Sequence, residues 1–246
     1  MTEDISQLFA VGAKWLNDNQ GVVGVVIFAE TLMLGWVSGI FSALRRKPKF
    51  KLRLIDGPTF VCTFQIGKKH GDFDVHRTGV ALYIRIANVG SAASSIDQIS
   101  IGYHWQVASL TKAWFRYGLG SFWLHEQSVA IQDFQVKIGE NIKFYPFLTQ
   151  KSIHSQVVAH SYLEPGQTEN GVVYFEQADS WGGCYPISRE GFTKIKVCVR
   201  DSFGGKHVAR FTIPSVTLEQ ARKYNPSFGV TLAELRNEPL PQDQGI

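Results

Sequence analysis

The sequence predicts a mainly β protein: a single N-terminal transmembrane helix followed by a β-sandwich and short C-terminal helices. Three observations carry that prediction. Residues 21–44 form an apolar run with one formal charge, Glu30. Between residues 50 and 214, about ten segments of strand length recur between turn signals, with almost no helical periodicity. Beyond Pro214 the pattern switches to two helix-start signatures.

Composition agrees with a folded chain. Of 246 residues, 44% are hydrophobic, 13% aromatic and 19% charged, outside the range of disordered sequences. The net charge of +4 is unevenly spread. Residues 45–53, RRKPKFKLR, hold six bases and no acid, while residues 54–246 hold 18 bases and 17 acids. A nearly neutral soluble part argues against a broad nucleic-acid-binding face. Three cysteines, Cys62, Cys184 and Cys198, match no zinc or redox spacing and read as small buried thiols.

Residues 1–20 place Ile5, Leu8, Phe9, Gly12 and Leu16 at helical spacing, with Trp15 near the water boundary. They read as an extracytoplasmic amphipathic segment or as an early start to the membrane helix. Residues 21–44 read as the crossing itself. A cleaved leader fits poorly, because the apolar run is too long and the basic cluster follows it. Twelve Val, Ile, Leu and Phe residues between Val22 and Leu44 favour insertion by about 4–7 kcal/mol. A central carboxylate offsets about 3 kcal/mol of that. Thr31, Gly35, Gly39 and Ala43 form a ladder of small residues suited to self-association or to another membrane protein's helix. Glu30 and Ser38 are read as one polar flank of the same helix. Arg45, Arg46, Lys47 and Lys49 open the basic juxtamembrane segment 45–53 and are expected to meet lipid head groups. The positive-inside rule puts the N-terminus outside and the C-terminal domain in the cytoplasm, with the plasma (inner) membrane as location.

The β domain is expected over residues 54–214, with strand-like segments from FKLRLI (50–55) through HVARFTIP (207–214). Val80, Leu82, Ile84 and Ile86 alternate onto one face of GVALYIRIANVG. YIRIANVGSAASSIDQISIGYHW, LEPGQTENGVVYFEQ and IKVCVRDSFGGKHVARFTIP form a series. It resembles immunoglobulin-like sandwiches that occur as accessory domains, in which an Asn-x-Gly turn ends one strand and a Pro-Gly corner precedes another. That resemblance implies a binding or scaffolding fold, not an activity. Residues 215–246 are expected to supply two short helices, opened by Thr217/Gln220 and Thr231/Glu234, that cover one end of the sandwich before a tail.

The chain contains no P-loop, G-x-S-x-G, H-E-x-x-H or G-x-G-x-x-G motif. Ser109 and Lys112 fit S-x-x-K in isolation. The best metal candidate is HGDFDVH: if extended, it projects His70, Asp72, Asp74 and His76 from one face. Gly71 equally suits a hairpin tip. KAWFRYGLGSFWLHE packs Trp114, Phe115, Tyr117, Phe122 and Trp123 around two glycines, as core or as a protruding loop that grips a partner. The expected function is a non-enzymatic interaction or scaffolding subunit, without cofactor or metal, that binds membrane lipids and a cytoplasmic protein partner and no nucleic acid. Two alternatives stand beside it: an oligomeric membrane-disrupting effector with a cytoplasmic regulatory β-domain, and a metal-dependent enzyme using the His70–His76 segment.

Overall fold

The computed structural model describes residues 11, 12, 14–40, 46–150 and 161–230. The chain divides into two compact units, residues 1–47 and 48–246.

In the first unit, helix α1 runs from Gln20 to Val37. Eighteen residues extend about 27 Å, close to the thickness of a bilayer's hydrocarbon core. Residues 14–18 are helical too, and Asn19 joins the two stretches, its N–H still bonded to the Trp15 carbonyl at 3.1 Å. A turn at Ser38 and Gly39 follows it, and Ile40 is helical again. Gly39 takes φ +75°, which turns the chain into the left-handed region that glycine tolerates just past a helix C-cap. Residues 41–45 lie outside the described residues.

In the second unit the strands are β1 (Phe50–Leu54), β2 (Phe60–His70), β3 (Phe73–Asn88), β4 (Ser94–Tyr103) and β5 (Phe122–Leu124). Then come β6 (Phe134–Ile138), β7 (Asn141–Tyr145), β8 (Tyr162–Leu163) and β9 (Thr168–Trp181). The last are β10 (Ser188–Arg189), β11 (Phe192–Asp201) and β12 (Lys206–Pro214), followed by the short helix α2 (Leu218–Arg222). The fold is mainly β, built from several antiparallel sheets. The domain begins before residue 54: Lys51 and Arg53 of the basic segment are the outward positions of β1, alternating with buried Phe50 and Leu52.

The first sheet is centred on β3. On one side it pairs with β2 through its N-terminal half and with β1 through its C-terminal half; on the other it pairs with β9 from Val75↔Trp181 to Ala87↔Thr168. In the second sheet β4 lies between β11 and the short strands β5 and β8, and β11 pairs with β12 in a hairpin. One core joins both sheets. Val80, Leu82, Ile84 and Ile86 of β3 and Val173 and Phe175 of β9 meet Ile99, Ile101, Val197, Val199 and Ile213. The expected alternation on β3 is therefore the inward face.

The opposite face of the first sheet is also covered. Phe60, Cys62, Ala81, Val172 and Tyr174 form a second core with Phe134, Tyr145, Phe147, Ala221 and Phe228. The capping box at Thr217 is formed in full: its side chain accepts from the Gln220 N–H, and the Gln220 side chain accepts from the Thr217 N–H. Helix α2 does not close an end of the domain as expected; it lies over this sheet face. Aromatic packing decides its place, since Phe60 meets Phe228 edge-on at 5.4 Å and stacks on Tyr224 at 5.8 Å. The second helix start, at Thr231, lies outside the described residues.

A polar junction ties the two sheets. His207 Nδ1 accepts the Phe50 N–H at 3.2 Å, and its Nε2 donates to Asp201 Oδ2 at 2.8 Å. Asp201 Oδ1 accepts the Phe203 and Gly205 N–H groups, each at 2.9 Å. Burial pushes the Asp201 carboxyl upward, but the His207 and backbone donors outweigh it and hold it below its ordinary value.

Two outcomes follow. A Cβ at Gly171 would stand 2.4 Å from the Leu148 backbone, where residues 146–148 cross β9. Gly171→Ala should cost about 1–3 kcal/mol, read as a lower midpoint in urea unfolding. A depressed folded-state carboxyl stabilises above its unfolded value near pH 3.9 and loses that stabilisation as pH falls through its folded value. The melting temperature of the wild-type chain should therefore fall more steeply below about pH 4 than that of Asp201→Asn.

Candidate interaction surfaces

None of the side chains of α1 is buried. Thr31 and Gly35 keep the expected one-turn spacing, whereas Gly39 lies past the helix end and Ala43 lies outside the described residues. At 100° per residue, Ser38 stands about 80° from Glu30 and about 20° from Thr31, so the expected shared flank of Glu30 and Ser38 does not hold. Both hydroxyls are satisfied within the helix: Thr31 donates to the Ile27 carbonyl at 2.7 Å and Ser38 to that of Gly35 at 3.1 Å. Glu30 is different. Its exposed carboxylate has no partner among the described residues, which makes it the polar group on α1 that most requires one. Arg46, Lys47 and Lys49 are exposed, and Arg45 lies outside the described residues.

The aromatic segment after β4 divides between core and surface. Tyr117 and Phe122 each pack on Trp105 with ring centroids 4.4 Å apart, and Phe122 and Trp105 rest against the main core. Trp114 is half-buried over Gly118, where a Cβ would meet its indole at 2.6 Å. Trp123 does not join this loop: it projects from the outer face of β5 and covers Gly102, where a Cβ would meet its indole at 2.8 Å. Phe115 alone of the five points largely into solvent, at 58% exposure. Two residues that sequence reading passed over stand with it, Leu110 at 80% and Leu119 at 58%. Leu119 ends a π-helical turn, Trp114–Leu119, that Thr111 opens by accepting the Trp114 N–H at 3.1 Å, and Leu110 lies in the turn just before it. Leu110 takes φ +65°, an unfavourable conformation for a residue with a Cβ. A strained apolar tip on an anchored aromatic base has the form of a contact loop, flanked by exposed Lys112 and Arg116.

The HGDFDVH segment is a hairpin, not one extended strand. Gly71 takes φ +58° and, with Asp72, turns β2 into β3, so the four side chains do not share a face. His70 stacks on Trp181 at 4.1 Å. His76 is buried edge-on to Tyr185 at 4.9 Å, and burial lowers its pKa, keeping the ring neutral. Asp74 accepts from Gln65 at 3.3 Å. Among the described residues, no three His, Cys, Asp or Glu side chains are placed to hold a metal. Cys62 is buried, and burial pushes its thiol up to about 11, away from nucleophilic use.

Leu110→Gly should be neutral or stabilising by up to about 1 kcal/mol, because glycine adopts this φ without strain while adding chain entropy to the unfolded state. Equilibrium urea unfolding of the two chains checks it. A loss of stability would show that the Leu110 side chain packs within its own domain.

The chain matches no protein-family model and no curated protein sequence.

Proposed function

We propose that this chain is a single-pass, membrane-anchored interaction subunit that works without catalysis. Its helix lies in the plasma (inner) membrane with the N-terminus outside. Its immunoglobulin-like β-sandwich lies in the cytoplasm and binds a protein partner through the loop of Leu110, Phe115 and Leu119. Helix α1 carries this reading: it is long and apolar enough to cross a membrane, and none of its residues is buried among the described residues. Eighteen such residues held in water would expose an apolar surface far larger than soluble chains carry. The six bases at 45–53 set the direction. Two sheets sharing one core support the sandwich. Lateral association through the Thr31–Gly35 face, with Glu30 turned toward the companion helix, rests on the same segment.

The test is performed in membranes. Carbonate washing should leave the intact chain in the pellet. A green fluorescent protein fused after Ile246 should fluoresce, while an alkaline phosphatase fused there should stay inactive. The reverse pattern would overturn the orientation, and release by carbonate would overturn the anchor. Replacing Leu110, Phe115 and Leu119 together by Ser should abolish copurification of a stoichiometric protein partner in mild detergent while leaving membrane retention unchanged. Retention of that partner by the triple variant would remove the loop from the interface.

A further inference from the structure

The outer face of the second sheet carries a charge arrangement that the anchor and the contact loop do not use. On β11 and β12, the inward positions Ile195, Val197, Val199 and Ile213 are buried, and the outward positions alternate with them. Those outward positions include Lys194, Lys196, Arg200, Lys206 and Arg210, and none of the five makes an ion pair among the described residues. Registration sets like charges against each other, Lys196 opposite Arg210 and Arg200 opposite Lys206. Directly opposed like charges destabilise a strand pair, so this face is held at a cost. The first sheet shows the contrast: there Arg77 lies 3.7 Å from Glu176 and 3.5 Å from Asp179.

The two like-charge pairs differ in their surroundings. At Lys196 and Arg210 a cleft of about 350 Å³ opens, bordered by Gly102, His104, Lys194, Lys196, Arg210 and Thr212, with no carboxylate in its lining. Arg200 and Lys206 lie outside it. The volume is that of a small-molecule site, not of an extended groove. Its donors stand in two rows. In one, Lys196 faces Arg210; in the next, Lys194 faces Thr212. Opposed residues lie about 5 Å apart across the strands, and same-face neighbours about 7 Å apart along one strand. Lys196 donates to Ser121 Oγ at 2.9 Å, which steadies its ammonium and leaves further protons for a ligand. His104 borders the cleft with a buried Nδ1 that has no hydrogen-bond partner among the described residues.

We propose that this cleft binds a small organic bisphosphate, with one phosphate on Lys196 and Arg210 and the other on Lys194 and Thr212. Three cations with no competing acid select a multiply charged anion. A phosphate monoester carries nearly two negative charges and three acceptor oxygens, so a pair of them matches this lining better than a carboxylate or a lone phosphate. Lys196 and Arg210 are close enough to share one phosphate, which turns their mutual repulsion into joint attraction. Lys194 stands one row along, where a second phosphate on another carbon of the same molecule would lie. A soluble sugar bisphosphate and a phosphoinositide head group both offer this chemistry.

The experiment is calorimetric titration of the full chain in uncharged detergent with chelator present. The probes are fructose 1,6-bisphosphate, fructose 6-phosphate and dibutanoyl phosphatidylinositol 4,5-bisphosphate. At least one bisphosphate should bind saturably below about 1 mM, and at least about tenfold more tightly than the monophosphate. Tighter binding of the sugar supports a soluble ligand, and tighter binding of the phosphoinositide supports a lipid head group. Binding should weaken as salt is raised. Lys196→Glu and Arg210→Glu should each weaken the bisphosphate at least about tenfold while melting no lower than wild type, since each replaces a like-charge pair by an opposite one. Lys196→Gln, which introduces no acid, should show an intermediate loss and serves as the second variant should either reversal fail to fold. Lys194→Gln should bring the bisphosphate down toward the monophosphate and leave the monophosphate nearly unchanged. Lys206→Gln, outside the cleft, should leave both unchanged. The proposal is overturned if neither bisphosphate binds saturably, if the monophosphate binds as tightly, or if the folded Lys196 and Arg210 variants bind as the wild type does. It is equally overturned if Lys206→Gln weakens binding as much as Lys196→Gln, which would make the attraction a property of the whole face. Binding of a short single-stranded RNA through Lys196 and Arg210 where the bisphosphates do not bind would also overturn it and give the face to nucleic acid.

Discussion

Strands β3 and β9 must be apolar on both faces over most of their shared length, and the architecture of the β domain follows from that constraint. Their antiparallel pairing runs through twelve registered residue pairs, so a shift of one residue would exchange the two faces completely. One face meets the second sheet through Val80, Leu82, Ile84, Val173 and Phe175. The other meets β2 aromatics, the 134–147 segment and the turn after α2 through Ala81, Val172 and Tyr174. Two glycines mark where covering chains press closest. The Phe228 ring occupies the space of a Cβ at Gly79, and the Leu148 backbone that of a Cβ at Gly171. The run GVVYF, with no polar alternation, is what a strand buried on both sides requires.

Period-two alternation was legible on β1 and β3. It marked Lys51 and Arg53 against Phe50 and Leu52, and the four apolar residues of β3. It did not say that the outer face of the first sheet would be covered, because Phe134, Phe147 and Phe228 are distant in sequence and carry no signal of their destination. The Thr217 capping box announced the start of α2 but not its docking. Gly71 signalled both a hairpin and a flexible strand position, and only its φ of +58° separated the readings. For the candidate surfaces, the aromatic density of residues 112–126 was visible, but its division was not. Phe122 turns inward, Phe115 outward, and Trp123 leaves for another face because β5 pairs with β4. Lys194, Lys196 and Arg210 were visible as charges on strands. Their meeting depends on the register of β11 with β12, which no local pattern fixes.

The acids around β9 and at Asp201 are taken up by their own neighbours, while bases stand without acids on the outward face of β11 and β12, so a nearly neutral domain presents a basic surface. Around β9 the carboxylates of Glu176 and Asp179 face Arg77, and Lys68 reaches Asp179 at 3.7 Å. Burial raises the Glu176 carboxyl while Arg77 opposes that rise, so the pair holds itself within the sheet's side. Asp201 is likewise consumed internally by His207 and two backbone donors. Acids at these inner junctions are unable to neutralise the outward lysines and arginine of β11 and β12. A count of charges along the chain averages over this segregation.

Glu30 and the Lys196–Arg210 pair are therefore instances of one physical situation in two separate units. Each is a charge for which the described residues supply no counterpart: a carboxylate on a helix of apolar side chains, and cations opposed across a strand ladder. Neither position is dictated by folding. Leu or Ala at residue 30 would lengthen the apolar run, and an acid at residue 196 would convert repulsion into a cross-strand pair. Thr31 and Ser38, by contrast, bond to their own helix, and Arg77 lies between two carboxylates, so these polar groups explain themselves.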